Sequence, residues 1–475
     1  MGRGSCLPGR VALILCPKIL SRLKLPPCVV AVTGSNGKTS TVEMINHILT
    51  SCGRSVLYNK EGSNQTDGVV TALLRACTLG GRVKADVVLF ESDERYARFT
   101  CKEIVPTHFV VTNLFRDQLT RNGHPEHIFD FIGMAISKET QLILNGDDPL
   151  AVLLGQNKTM LKNETNHPLE DYTDRAGLAE KNINTAENIF QSSIRVVRRE
   201  QSQVTPKSDL LFGSRHDAIY YGSAKGVYNK FKTSLPAMYD DGVFCPRCKH
   251  PLDYRFRNYA HIGSYSCNHC NHRRPNLSHQ VTSFEANSVT LDDEHSVALA
   301  LGAPWEIENI VAAYTTAVTV GVKPKEAASA LNSFSSKAGR TKEFKVGSRE
   351  RKLLITKHEN SQSYNLTLRF LMTQPPHALL IYVNSISRKY FTSETSWLWD
   401  IDFELLRNFD GTIYLAGQYA LDLSYRFLLA DFPDGKYVVV ERDLAGVINR
   451  EEKPICVLTC FSDQNELIRQ IGGGA

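Results

Sequence analysis

The chain has 475 residues, of which 42% are hydrophobic and 22% charged. That is the composition of a soluble globular protein too long for one ordinary core, so two or three domains are expected. The net charge of +5 comes from scattered Lys and Arg, which argues against a nucleic-acid binder, and no apolar run is long enough to predict a membrane-spanning helix.

The first 28 residues read as an N-terminal arm. The stretch MGRGSCLPGRVALILCPKIL resembles a secretory signal only superficially, because Pro17 and Lys18 interrupt a short apolar stretch and no clean cleavage site follows. A signal peptide is the alternative reading. From residue 28, β-type runs alternate with helical patterns. CVVAVTG, SVLYN, ADVVLFES, HFVVTNL and QLILNGDD read as strands. This alternation implies βαβ units, a parallel sheet and helices on its faces. Residues 156–215 are polar and irregular and read as an insertion. SFEANSVTLD reads as one strand and WEIENIVAAYTTAVTVG as a helix returning to the core. SSKAGRTKEF reads as a hinge. KLLITKH, HALLIYVNSI, GTIYLAG, YVVVE and ICVLTCF then predict a second, smaller α/β domain. The expected division is an arm over 1–28, a central domain over 29–335 and a C-terminal domain over 340–475, with an insertion at about 205–285.

The stretch VVAVTGSNGKTSTVEMINHIL places Gly34, Ser35, Asn36, Gly37, Lys38, Thr39 and Ser40 between a strand and a helix. Backbone amides in such a turn, with the positive end of the helix, cradle phosphate oxygens. Lys38 reaches the β and γ phosphates of a nucleotide, and the Thr39 hydroxyl can ligate Mg²⁺. Gly34 supplies the turn where the general pattern has a glycine at the position of Val32.

Twelve Cys occur, four of them in CPRC at 245–248 and CNHC at 267–270. Paired knuckles at this spacing predict tetrahedral thiolate ligation of zinc by Cys245, Cys248, Cys267 and Cys270. All four positions are protein ligands, so the metal is expected to be structural. His250, His269 and His272 read as exposed polar residues of the knuckles, with spare metal ligands as the alternative. The other Cys are scattered as free thiols are in a reducing, cytoplasmic setting. In SWLWDIDFELL (396–406), Trp397 and Trp399 would share one face of a strand, and Asp400 and Asp402 the other. Read alone, this is an exposed acidic turn with aromatic anchors.

TGSNGKTS is tighter than a generic phosphate loop and resembles the ATP loop of the Mur ligase family. LFESDE resembles the strand ending in that family's Mg²⁺-binding Glu, here Glu91. VVTNLFRDQLTRNG resembles its T-N-x-x-x-D-H stretch, with Gln118 in place of His. LILNGDDP, ENIVAAY and AGRTKEF resemble elements that contact the nucleotide, here through Asn145, Asn309 and Arg340. With the Cys₄ insertion and the SWLWDIDFE motif, the chain is identified as a divergent member of the MurT family within the Mur ligases. The resemblance implies an ATP-dependent ligase with Mg²⁺ and Zn²⁺, in which Lys38 and Glu91 are catalytic. It implies amidation of the D-glutamate α-carboxylate of the lipid II stem peptide, with ammonia from a GatD-like glutamine amidotransferase. In that family an Asp of the C-terminal domain assists the partner's glutaminase, here Asp400 or Asp402. Two segments depart from the family: TKHENSQSYN keeps Lys357 and Asn365 but lacks its Pro and Gly, and SRKYFTSETSW lacks its acidic run. A stand-alone Mur-type ligase and a non-catalytic nucleotide-binding paralogue therefore remain as alternatives.

Overall fold

A computed structural model describes residues 6–59, 63–156, 217–335, 341–346, 349–357, 359–385, 395–433, 435–452 and 454–471. The segment expected as an insertion (156–215, from residue 157 on), Gly339 and Arg340 of the hinge, and residues 386–394 lie outside these.

The central sheet contains β1 (Cys28–Thr33), β2 (Val56–Tyr58), β3 (Val87–Glu91), β4 (His108–Val111), β5 (Gln141–Asn145) and β6 (Ile219–Ser223). The excursion after β6 carries a small hairpin, β7 (Asp253–Tyr259) and β8 (Ile262–Ser266). The sheet resumes with β9 (His279–Glu285), β10 (Ser288–Leu291) and β11 (His295–Ala298). The strand order is β11-β10-β9-β6-β5-β4-β1-β3-β2. Neighbours from β2 to β9 run parallel and the last two pairs antiparallel. Alternate residues of β1 feed opposite faces: Val30 and Val32 join one apolar cluster, Val29 and Ala31 another. That two-sided burial explains the near-continuous apolar strands. The helices Lys38–Ser51 and Pro304–Thr319 pack together on the first face. Because β1 lies between β3 and β4, its C-terminal end opens onto a crevice where the connections diverge, the usual ligand position in such sheets.

The second sheet contains β12 (Thr341–Val346), β13 (Arg349–Thr356), β14 (Ala378–Tyr382), β15 (Thr412–Ala416), β16 (Tyr437–Val440) and β17 (Ile455–Cys460), in the order β12-β13-β17-β14-β15-β16. Only β12 is antiparallel to its neighbour. Leu354 and Leu353 point into separate clusters on the two faces.

Two local expectations, the single strand in SFEANSVTLD and the strand in the Trp motif, need correction, and two others gain detail. SFEANSVTLD is a hairpin of β9 and β10, because Ala286 and Asn287 both adopt left-handed conformations (φ 45° and 62°) that turn the chain back. β6 and β9 are adjacent in the main sheet, and the excursion between them runs over 224–278. The N-terminal arm contains a helix, Leu7–Leu15, packed on the helix Thr66–Ala76. Gly9 makes that approach possible: a Cβ there would lie 1.9 Å from the carbonyl oxygen of Asp67. The Trp motif is a 3₁₀ helix, Ser396–Asp400, so Trp397 is buried beside Tyr364 while Trp399 packs against Tyr425. Three residues per turn replaces strand alternation there.

Candidate active site

The β1 strand is buried and β-branched, and it ends where Gly34 adopts φ 130°. A side chain at Gly34 would meet the Thr112 hydroxyl at 2.2 Å. Gly37, at φ 85°, caps the helix Lys38–Ser51, and a Cβ there would meet Asn309 Oδ1 at 2.2 Å. Both positions therefore need glycine for conformation and for space. The turn is held from below by the segment after β4. Ser35 Oγ donates to the Phe115 carbonyl at 3.0 Å and accepts from the Phe115 amide at 2.8 Å. Asn113 Oδ1 accepts from the Asn36 amide at 2.9 Å, and the Thr112 hydroxyl donates to the Asn36 carbonyl at 2.6 Å. Clamped in this way, the turn presents the first amides of the helix, which have no partner within it, to the crevice.

Lys38 is buried and donates to the Gly34 carbonyl and to Glu94 Oε1, both at 2.5 Å. Burial works against its charge, but Glu94, then Glu91 and Asp117, outweigh burial and hold its pKa above the ordinary lysine value. The Thr39 hydroxyl donates to Glu91 Oε2 at 2.7 Å. Glu91 is fixed at the end of β3 because Asn59 bonds both its amide and its carbonyl at 2.9 Å, and Asn64 donates to its other carboxylate oxygen at 3.2 Å. A hydroxyl beside a fixed, buried carboxylate is a hard oxygen donor set that fits Mg²⁺. Ser40 follows on the same first turn, half-buried.

The C-terminal domain covers this turn. Lys357 Nζ donates to the Ser35 carbonyl at 2.9 Å and pairs with the buried carboxylate of Asp117. Asn360 and Asn36 exchange amide hydrogen bonds at 3.1 and 3.4 Å, and Asn360 also donates to Asp117 at 3.1 Å. The same Asn360 caps the helix Ser361–Thr373 by accepting from the Ser363 amide at 2.8 Å. Asn365 sits elsewhere: its side chain binds the Asp402 amide and the Asp400 carbonyl, fixing the Trp motif. The altered TKHENSQSYN segment thus meets the phosphate turn through Lys357 and Asn360.

Asn309 faces Gly37 from the Pro304–Thr319 helix. Asn145 is buried beneath, donating to the Thr112 carbonyl at 3.0 Å and to Glu308 Oε1 at 3.4 Å. Asn113 donates to the other oxygen of Glu308 at 3.2 Å. Burial pushes the Glu308 carboxyl up to about 7, against a hydrogen bond from Tyr259 and with help from Asp147. Burial likewise raises Asp147 to about 6, although Arg274 opposes the shift.

Asp400 and Asp402 are both engaged. Asp402 is buried, accepts from the Met238 amide at 2.9 Å and lies 3.7 Å from Arg369. Asp400 is half-buried, 3.4 Å from Arg116, whose guanidinium also pairs with Asp241 and lies over the Tyr239 ring. Neither is the exposed acid of a free turn. Arg116 also lines a cavity of about 510 Å³ together with His124, Asp240, Asp241, Lys249 and His261.

One wall of that cavity belongs to the Cys knuckles. The four sulfurs lie within 4.8 Å of one another, with Cys245–Cys270 and Cys248–Cys267 at 3.5 Å. A Zn–S bond of about 2.3 Å places tetrahedral sulfurs roughly 3.8 Å apart, so the donor set fits zinc. The two knuckles share a turn: Lys249 and Asn271, each four residues after the first Cys of its pair, are left-handed (φ 64° and 58°). His250 and His269 are exposed and stacked at 3.6 Å. His272 corrects the expectation of exposure. It is fully buried, with ring nitrogens 2.9 Å from the Pro149 carbonyl and the Gln156 side chain, and so ties the ribbon to the central domain.

The structure gathers residues 34–40, Glu91 and Asn309 around one turn and places Asn145 in the layer below. It puts Asp400 and Asp402 at the edge, whereas Arg340 is outside the described residues. Glu94, Asp117, Lys357 and Asn360 complete the site. All four stood in segments already compared with the family, but nothing local singled out Glu94 or Asn360 within LFESDE and TKHENSQSYN.

The family model "Mur ligase middle domain" matches residues 32–205 and "MurT ligase C-terminal" matches residues 358–462. The chain is similar to a lipid II isoglutaminyl synthase (glutamine-hydrolyzing) subunit MurT of Streptococcus pneumoniae. They share 26% identity over 97% of this chain and 91% of that one. A protein of the same description from Staphylococcus aureus is 25% identical over 93% of this chain and 86% of its own. Among solved structures, a pseudomurein peptide ligase type C from Methanothermus fervidus shares the fold, with a TM-score of 0.62 and 18% identity. The match covers 95% of this chain and 80% of that one.

Proposed function

We propose a reaction from the premise that this chain is a MurT-type member of the Mur ligase family and an ATP-dependent ligase. The substrate is the D-glutamate of the lipid II stem peptide, and the product is D-isoglutamine. The α-carboxylate attacks the γ-phosphorus of ATP and ADP leaves. Ammonia then attacks the acyl carbon of the resulting acyl phosphate and inorganic phosphate leaves. The relatives are named as glutamine-hydrolysing subunits, so the ammonia comes from a partner glutaminase of the GatD type in the cytoplasm.

The observation that carries this reading is the clamped turn, with Lys38 and Glu91 buried beside it, the Thr39 hydroxyl on Glu91, and Lys357 bonded to the Ser35 carbonyl. Lys38 exchanges its Glu94 partner for phosphate oxygens and neutralises charge that builds up during phosphoryl transfer. Thr39 and Glu91 would hold Mg²⁺, which supplies further neutralisation of the β and γ oxygens when bound. Arg340, next to the hinge, is proposed to meet the same phosphates, and Asn145 and Asn309 to define the adenine side. Zinc at the four Cys holds the ribbon against the cavity and takes no part in the chemistry.

A second reading has one specific observation behind it. Asp402 is internal and Asp400 is paired with Arg116, so neither offers a free carboxylate to a partner's active site. That favours a ligase that takes free ammonia or an amino acid. The test is ADP release with lipid II by the protein purified with its partner. Glutamine-dependent release supports the amidotransferase reading. Release with ammonium alone supports the stand-alone ligase. No turnover with either source supports a non-catalytic paralogue.

A further inference from the structure

The helix Leu7–Leu15 buries one side against the helix Thr66–Ala76, through Gly9, Ala12 and Leu13. Its other side is also apolar. Leu7, Val11, Ile14 and Leu15 follow helical spacing and are 63%, 46%, 38% and 80% exposed. A second apolar tip, Leu79, is wholly exposed on a loop tied to the end of the arm. The Lys24 amide donates to the Gly81 carbonyl at 2.8 Å, and the Val83 amide to the Lys24 carbonyl at 3.0 Å. An apolar strip of this kind on a soluble protein marks a surface that is covered in use.

Charge says what covers it. Residues 1–42 contain no Asp or Glu, and neither do residues 68–85. Lys18, Arg22, Lys24, Arg82 and Lys84 are all exposed around the strip. Of the acids bordering the second segment, Asp67 is paired with Arg10 at 3.1 Å and Asp86 accepts from the Ser55 hydroxyl at 2.7 Å. Apolar residues flanked by cations, with acids excluded, match the boundary between acyl chains and anionic headgroups. A protein partner would not require the exclusion of acids from two separate segments. No described helix is long and apolar enough to cross a membrane, so the attachment is peripheral.

We propose that the Leu7–Leu15 helix, the basic segment after it and the Leu79 loop form a docking surface for an anionic lipid bilayer. It lies outside the nucleotide crevice and does not depend on which acceptor the ligase uses. The test is flotation of the full chain, with any co-purifying partner, on vesicles of phosphatidylcholine alone and of phosphatidylcholine with phosphatidylglycerol. Binding is expected only to the second, weakening as salt rises. Each cation near the surface contributes about fivefold to partitioning, so Lys18→Gln, Arg22→Gln and Lys24→Gln together should cost roughly a hundredfold. Leu15→Glu should cost at least about tenfold. Both variants should bind ATP as the parent does, because these positions lie outside the crevice. Equal binding to both vesicle types, or none to either, overturns the proposal, as does binding that survives both variants. A concentration-dependent dimer abolished by Leu15→Glu also overturns it, since the strip would then join two copies. None of these outcomes touches ADP release, so the ligase reading stands or falls separately.

Discussion

Glu308 gives the sharpest quantitative test of the layer beneath the phosphate turn. Burial raises its carboxyl from 4.5 to about 7. The folded chain therefore holds a proton that the unfolded chain has released, and stability falls as pH rises through that window. At 1.36 kcal/mol per pKa unit, the loss is on the order of 3 kcal/mol, complete near neutral pH. Gln is the neutral isostere, and its amide oxygen can still accept from one of Asn113 and Asn145. In Glu308→Gln the stability relative to the parent should be near its minimum at pH 4.5. It should climb to pH 7 and stay level above that. Asp147, raised by burial to about 6 in the parent, titrates in both proteins, so the comparison is made as a difference between them. The measurement is denaturant unfolding followed by tryptophan fluorescence at several pH values, parent against variant. Parallel curves would refute the reasoning, because they would mean that Glu308 is ionised at no cost where it sits.

Gly37→Ala should abolish nucleotide binding in calorimetry while leaving a folded protein, since it forces a left-handed side chain against Asn309. The backbone strain alone is about 1–2 kcal/mol. Lys357→Met should lower kcat in ADP release, because the C-terminal domain loses its cation over the turn, and a KM effect alone would count against that role. Cys248→Ser should remove bound zinc, read by metal analysis, and lower the melting temperature, because zinc binding free energy is folding free energy for such a knuckle. Thr39→Val should raise the Mg²⁺ concentration needed for half-maximal activity. An unchanged requirement would remove Thr39 from the metal site.

The strands were legible in the sequence because parallel strands buried on both faces leave continuous apolar runs, as in β1, β3 and β14. The phosphate turn was legible because glycine is the residue tolerated where φ is 130° and 85° and where Thr112 and Asn309 stand against the backbone. The clustering of the four Cys was legible from spacing alone. What escaped depends on contacts between distant segments. Asn360 meets Asn36 across 324 residues, and its local pattern signals only a helix cap. Glu94 reads as one more acid after β3 until the fold sets it beside Lys38. Asp400 and Asp402 looked like an open turn because nothing in SWLWDIDFE announces that Arg116 and Arg369 arrive from elsewhere. The hairpin in SFEANSVTLD was hidden by Ala286 and Asn287, since alanine is a weak signal for a left-handed turn.

The account rests on the carboxylate of the acceptor, rather than water, attacking the γ-phosphorus of ATP. Lipid II labelled with ¹⁸O in the D-glutamate α-carboxylate tests this directly, by mass spectrometry of the phosphate released during amidation. The account predicts that the phosphate carries an ¹⁸O atom taken from the acceptor. Unlabelled phosphate, released at the same rate as ADP, would contradict it.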